Sequence, residues 1–278
     1  MGGLGNICDM SQSSTPDRDY SSISESAKWL ALTRGVTTIP FAREAAVLLF
    51  GEATVREAEA AVTGLSGHRL AHFENRYRSI DQALAMVGHR NIVELGAGLS
   101  FRGLAMAQSP GIHYLDTDLP ELLAVKADLV ARLDHPPLQG TLRLESLDAL
   151  APGALAGAVR HLPAGPVAIV NEGLLMYLDA SEKERLAASI RGILEERTRS
   201  RWITADCYVR DGERRTALDP AVERFLAEHR VEEQKFASWE SAERFFTMQG
   251  FAIERRLTPS EARHIRETWI LTITERTV

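Results

Sequence analysis

The strand-like run Asn91-Ile92-Val93-Glu94-Leu95 falls directly into Gly96-Ala97-Gly98, and a helical stretch follows. Two glycines there allow positive φ and let the backbone come close to a ligand. The following helix start offers unpaired N–H groups and a field that favours an anion. A tight strand-to-helix turn without a ligand is the plain alternative. The next apolar run ends in His113-Tyr114-Leu115-Asp116-Thr117-Asp118. A carboxylate about 20 residues beyond such glycines can accept two hydrogen bonds from the vicinal hydroxyls of a ribose. Asp116 and Asp118 both qualify, and one of them could instead cap the helix that opens at Pro120. Together these features point to an adenosine-containing ligand. The dinucleotide fingerprint does not fit. Its third glycine is due where Phe101 stands, and the next glycine is Gly103. No Lys-Ser/Thr pair follows the loop, which excludes a phosphate-binding P-loop.

Such a loop needs a sheet to carry it, and the patterning supplies one. Residues 24 to 87 are helical in pattern, with apolar residues at three- and four-residue spacing, and Ser24 is a candidate cap for the first helix. From Asn91 onward, short apolar runs alternate with helical ones as far as RWITADCY. Two further strands, FAIERRL and TWILTITE, close the chain. Alternation implies a parallel, doubly wound sheet with helices on both faces. The closing pair is too close in sequence for a parallel crossover and must be antiparallel. The expectation is one α/β domain over residues 23–278: a helical cap over 23–88, then a Rossmann-like core over 89–278. That core has seven strands, the last one antiparallel, and a lid insertion over 206–237. Residues 1–22 are polar and read as a mobile tail.

Composition narrows the partners. The chain has 278 residues, 45% hydrophobic and 25% charged, as in a soluble globular protein. A formal net charge of −6 argues against general nucleic-acid binding. No apolar run approaches a membrane span of about 18 residues, and no signal peptide is evident. Cys8 and Cys207 read as reduced thiols of a cytoplasmic protein. His68 and His72 stand four apart with no third ligand placed, so no metal is expected. Phe236, Trp239, Phe245 and Phe246 form a stripe that reads first as core.

Three stretches carry a resemblance. VELGAGLSFRG, LDTDLPELLAVKADL and NEGLLMYL are similar to those of the leucine carboxyl methyltransferase family. That family holds enzymes that methylate the C-terminal carboxylate of a phosphatase, and bacterial O-methyltransferases of polyketide biosynthesis. The resemblance implies the S-adenosylmethionine-dependent methyltransferase fold and S-adenosyl-L-methionine as cofactor. It assigns Gly96 to the cofactor, Asp118 to ribose with Asp116 as runner-up, and Glu172 to the methionine end. Arg76, with Arg78 as alternative, goes to the cofactor carboxylate. Glu145-Ser146-Leu147-Asp148 stands where the family has an Asp-Leu-x-Asp run cupping adenine, so Glu145 is one carbon longer than the usual Asp. Glu94, Ala97, Gly98, Leu119, Asn171 and Gly173 are expected to line the same site. In the helices expected to cover the substrate, relatives often carry an Asp-Pro where this chain has Arg43 and Glu44.

The function this implies is O-methyl transfer by direct displacement onto a small-molecule carboxylate or phenol. A carboxylate acceptor is already ionised at neutral pH and needs no base. Tyr177, just beyond the fourth strand, is the candidate to touch the acceptor, with simple packing as the plain alternative. An NAD(P)-dependent oxidoreductase and a non-catalytic binding module on the same fold are the alternatives. No nucleic acid or membrane partner is expected, and a homodimer is left open.

Overall fold

The protein is described by a computed structural model covering residues 23–65, 67–210, 224, 226–257 and 266–273. Four helices come first: α1 (Ile23–Gly35), α2 (Ala42–Phe50), α3 (Glu52–Leu65) and α4 (Gly67–Val87). Then β1 (Asn91–Leu95), α5 (Arg102–Met106), β2 (His113–Asp118), α6 (Pro120–Arg132), β3 (Thr141–Ser146), α7 (Ala154–Val159) and β4 (Val167–Asn171) alternate. A 3₁₀ turn at Leu175–Tyr177 leads into α8 (Ala180–Glu196), β5 (Arg201–Tyr208), α9 (Val231–Gln234), α10 (Trp239–Met248), β6 (Phe251–Leu257) and β7 (Arg266–Ile273).

The seven strands form one sheet in the order β3-β2-β1-β4-β5-β7-β6. The first five are parallel, and β7 runs antiparallel to both of its neighbours, β5 and β6. The expected antiparallel closing pair is therefore present, with β7 inserted between β5 and β6. β1 and β4 are buried along their whole length, which is why they read as unbroken apolar runs. Their order reverses between β1 and β4, where open α/β sheets bind ligands beyond the carboxyl ends.

One face of the sheet packs on α7, α8 and α10 through Leu155, Leu186, Ile190 and Phe246. The other packs on Ile80, Ala83 and Leu84 of α4. Helix α4, the last of the expected helical cap, thus packs directly on the sheet. The aromatic stripe is core: Phe246 is fully buried, 5.2 Å from Trp202 and 5.5 Å from Trp269 between ring centroids. Phe236, Trp239 and Phe245 pack around it.

α1 is described from Ile23 and so already includes Ser24, the expected start. α6 opens with Leu119 as its N-cap and no side-chain bond, so neither aspartate caps it. β5 runs through Tyr208, so Asp206, Cys207 and Tyr208 belong to a strand and not to an insertion. The polar tail (1–22) and part of the proposed lid (211–223 and 225) lie outside the described residues. Among the described residues no helix is long and apolar enough to cross a membrane.

Candidate active site at the carboxyl end of the sheet

Gly96 and Gly98 adopt φ of +60° and +55°, left-handed conformations that favour glycine. The loop is tied to the end of β2. Ala97 N–H donates to the Thr117 carbonyl at 3.0 Å, and Gly98 N–H donates to Asp118 Oδ2 at 2.6 Å. Leu119 N–H donates to Asp118 Oδ1 at 2.8 Å. A Cβ on Gly96 would lie 3.4 Å from Leu174, whereas one on Gly98 would meet open space. The loop is therefore packed on its Gly96 side against the turn after β4, and open on its Gly98 side.

The two aspartates occupy different environments. Asp118 is half-buried at the loop, and burial raises its carboxyl against the two N–H bonds that lower it. Asp116 is fully buried, with Lys126 Nζ 2.6 Å from its Oδ2. That contact is an ion pair with poor hydrogen-bond geometry. Burial pushes the Asp116 carboxyl up to about 7, against the opposing pull of Lys126.

Glu172 follows β4 directly and has a side chain only 2% exposed. Its Oε1 accepts from Arg34 Nη2 at 2.6 Å and Arg76 Nε at 2.7 Å, and its Oε2 accepts from Arg102 Nη2 at 2.7 Å. Burial alone would raise this carboxyl, but Arg76, Arg34 and Arg102 outweigh it and hold it well below the carboxylate range. Arg76 Nη1 also reaches the Tyr208 hydroxyl at 2.9 Å. Arg34 Nε is buried and has no hydrogen-bond partner among the described residues.

The turn carrying Glu172 rests on Asp206. Its Oδ1 accepts from Gly173 N–H at 2.6 Å, and its Oδ2 from Leu174 N–H at 2.7 Å and Leu175 N–H at 3.1 Å. The same Oδ2 accepts from Asn171 Nδ2 at 2.6 Å, and Asn171 Oδ1 accepts from Trp202 Nε1 at 2.7 Å. A register shift between Thr204 and Cys207 accompanies this aim, as bulges commonly re-aim a side chain beside a site.

With this geometry in view, the comparisons with known proteins decide the family. The model of the family described as leucine carboxyl methyltransferase matches residues 24–191, more than half of the chain. The chain belongs to the leucine carboxyl methyltransferase family. A relative from Parafrankia sp., provisionally named an S-adenosyl-L-methionine-dependent methyltransferase, is 30% identical over 125 residues. That alignment covers 43% of this chain and 40% of the relative, so the match spans about two fifths of the relative's length. A DUF574 family protein from Streptomyces avermitilis shares the fold at a TM-score of 0.58 and 16% identity, over 90% of this chain and 97% of that one. A provisionally named methyltransferase from Thermobifida fusca does so at 0.51 and 21% identity, over 81% and 89%.

Within the family-matched segment, the structure brings together Arg34, Arg76, Arg102 and Glu172 at one place and Gly96, Gly98 and Asp118 at another beside it. Of the alternatives left open, Arg76 lies in the cluster. Arg78 is exposed and donates to Thr38. Asp118 reaches the loop, and Asp116 does not. Asn171 is fully buried with its amide used internally, so it supports the turn from behind. Glu94 is likewise buried and accepts from the Tyr114 hydroxyl at 2.6 Å. Glu145 is engaged by Arg143 Nε at 2.9 Å and His161 Nδ1 at 2.8 Å, both on its Oε2. Ser146 is exposed, and Leu147 N–H donates to the Asp118 carbonyl at 2.9 Å. Tyr177 lies edge-on to His229, 6.2 Å between centroids.

Sequence reasoning missed Arg34, Arg102, Asp206 and Tyr208. Arg34 carries no motif. Arg102 sits inside the quoted VELGAGLSFRG, and Asp206 is a carboxylate in an otherwise apolar strand, a signal that a buried charge with partners was needed. Arg43 pairs with Glu52 and Glu59 on the surface at 2.8 Å each, away from this cluster. Among the described residues no group of three or more His, Cys, Asp or Glu could hold a metal ion, and the side chains of His68 and His72 lie outside them.

Proposed function

We propose that this protein is an S-adenosyl-L-methionine-dependent O-methyltransferase acting on a small-molecule carboxylate. One observation carries the reading. Glu172, paired with Arg34 and Arg76, follows β4, and a glycine loop closed by Asp118 follows the neighbouring β1, so a carboxylate–arginine cluster and an acid-closed loop share the carboxyl end of the sheet. The cluster suits an α-amino acid end, and the acid-closed loop suits a ribose. The residues fit the cofactor in detail. Glu172 would take the ammonium, and Arg76 and Arg34 the carboxylate, the buried Arg34 Nε being a donor in want of an acceptor. Asp118 would take the ribose hydroxyls, and the open side of Gly98 leaves room for backbone to approach the nucleoside.

When bound, S-adenosyl-L-methionine supplies an electrophilic methyl group on a sulfonium. The chain's own contribution is alignment and exclusion of water, because an ionised acceptor needs no proton removed. A phenol acceptor is the second reading, favoured by His229 beside Tyr177, since a phenol gains from a general base.

Incubation of the purified protein with radiolabelled S-adenosyl-L-methionine and a panel of carboxylic acids and phenols tests the proposal. Label transfer to an acid in base-labile form supports it. Transfer confined to phenols replaces it with the second reading, and saturable binding of NAD without S-adenosyl-L-methionine overturns both.

A further inference from the structure

Arg102 opens α5 directly after the glycine loop, and its side chain is fully buried. Its Nη1 donates to the Tyr77 carbonyl at 3.0 Å and to the Asp81 carboxylate, and its Nε faces Glu94 Oε1 at 3.5 Å. Its guanidinium lies over the Tyr77 ring, 3.9 Å from the centroid. Its Nη2 is bound to Glu172 Oε2 at 2.7 Å. The fork is thus anchored on α4 and β1 and reaches the turn after β4 with its remaining arm. The two oxygens of Glu172 are not equivalent: Oε1 is shared by Arg34 and Arg76, whereas Oε2 is held by Arg102.

We infer that Arg102 is a positioning residue that clamps Oε2 of Glu172, so that Oε1 alone exchanges an arginine for the ammonium of a bound amino-acid end. The inference rests on the proposed function and deepens it. A carboxylate held at one oxygen by a fork that is itself fixed by three other groups cannot swing when the partner on its other oxygen changes. Preorganisation of this kind lowers the ordering cost of binding. The guanidinium, not a general positive charge, is what the geometry requires, because a single ammonium cannot reach Tyr77, Asp81, Glu94 and Glu172 together.

Two probes separate this role from a merely structural one. S-adenosylhomocysteine carries the amino-acid end, and 5′-methylthioadenosine keeps the nucleoside but lacks it. Titration calorimetry of the full chain is expected to show wild type binding both. Arg102→Lys should bind S-adenosylhomocysteine about tenfold or more weakly, with 5′-methylthioadenosine changed by less than about twofold. Equal weakening of the two probes, or unchanged S-adenosylhomocysteine binding, overturns the inference. Should R102K fail to fold by circular dichroism, Asp81→Asn takes its place, since Asp81 is 35% exposed and loosens only one arm of the fork. It is expected to weaken S-adenosylhomocysteine about threefold with the other probe unchanged, and parallel or absent effects overturn the inference. A wild type that binds neither probe refutes the functional reading itself, an outcome distinct from selective failure of the Arg102 variants.

Discussion

Replacing Glu172 with Gln isolates the electrostatics at the centre of the site. The carboxylate is 2% exposed and accepts three arginine hydrogen bonds at 2.6–2.7 Å. A Gln amide keeps one oxygen and turns its NH₂ toward an arginine, leaving buried guanidinium charge uncompensated. Breaking a buried pair on one side costs about 3–5 kcal/mol. At about 2–4 °C per kcal/mol for a chain approaching this length, the melting midpoint should fall by about 6–20 °C. The sign of the pH effect follows from the depressed folded-state pKa. Stability from Glu172 is present above its unfolded value of about 4.5 and is lost as pH falls below it, by about 1.4 kcal/mol per pH unit. Urea unfolding of both proteins at pH 7 and pH 3.5 should show a gap that narrows at the lower pH. A gap under about 1 kcal/mol at pH 7, or one that does not change with pH, would refute the reasoning.

Three further outcomes are expected. Asp118→Ala should weaken S-adenosylhomocysteine binding by about 1–3 kcal/mol through unpaired ribose hydroxyls and a released Gly98 N–H, and an unchanged dissociation constant by calorimetry would remove Asp118 from that role. Asp116 has its carboxyl pushed up to about 7, so its contribution to stability is full below its unfolded value and is lost as pH rises through about 7. The stability of wild type relative to Asp116→Asn should therefore decline from about pH 4 to pH 7, and a flat difference in urea melts would contradict this. Gly103→Ala places a Cβ 2.7 Å from Tyr114 and 2.8 Å from Leu142. It should destabilise by about 1–3 kcal/mol through overpacking, and a wild-type urea midpoint would show that the α5–β2 contact gives way freely.

The fold was legible because the buried parallel strands declare themselves. NIVEL and VAIVNEG are largely apolar runs bounded by glycine or helix signals; the first is a strand with the expected limits, and the second is a strand that ends two residues earlier, at Asn171. The turn after β1 was legible for a related reason: a tight strand-to-helix turn needs positive φ, and Gly96 and Gly98 adopt it, with Asp118 bonded to the turn. The partners of Glu172 were not. Arg34 and Arg102 lie 138 and 70 residues from it along the chain and meet it only after α1 and α5 pack. No spacing rule joins them. The burial of Asn171 and Glu94 was not legible either, since polar residues beside a motif look exposed in sequence, whereas here both are buried and hydrogen-bonded within the protein. Glu145 was assigned by family resemblance alone, and on the edge strand β3 its side chain meets Arg143 and His161.

The most direct test of the account is a crystal structure of the protein with S-adenosylhomocysteine bound. The account predicts ribose hydroxyls within hydrogen-bond distance of Asp118 and the amino group on Oε1 of Glu172, with Arg102 still on Oε2. A nucleoside found away from the Gly96–Gly98 loop, or an amino-acid end that leaves Glu172 on its three arginines, would contradict it.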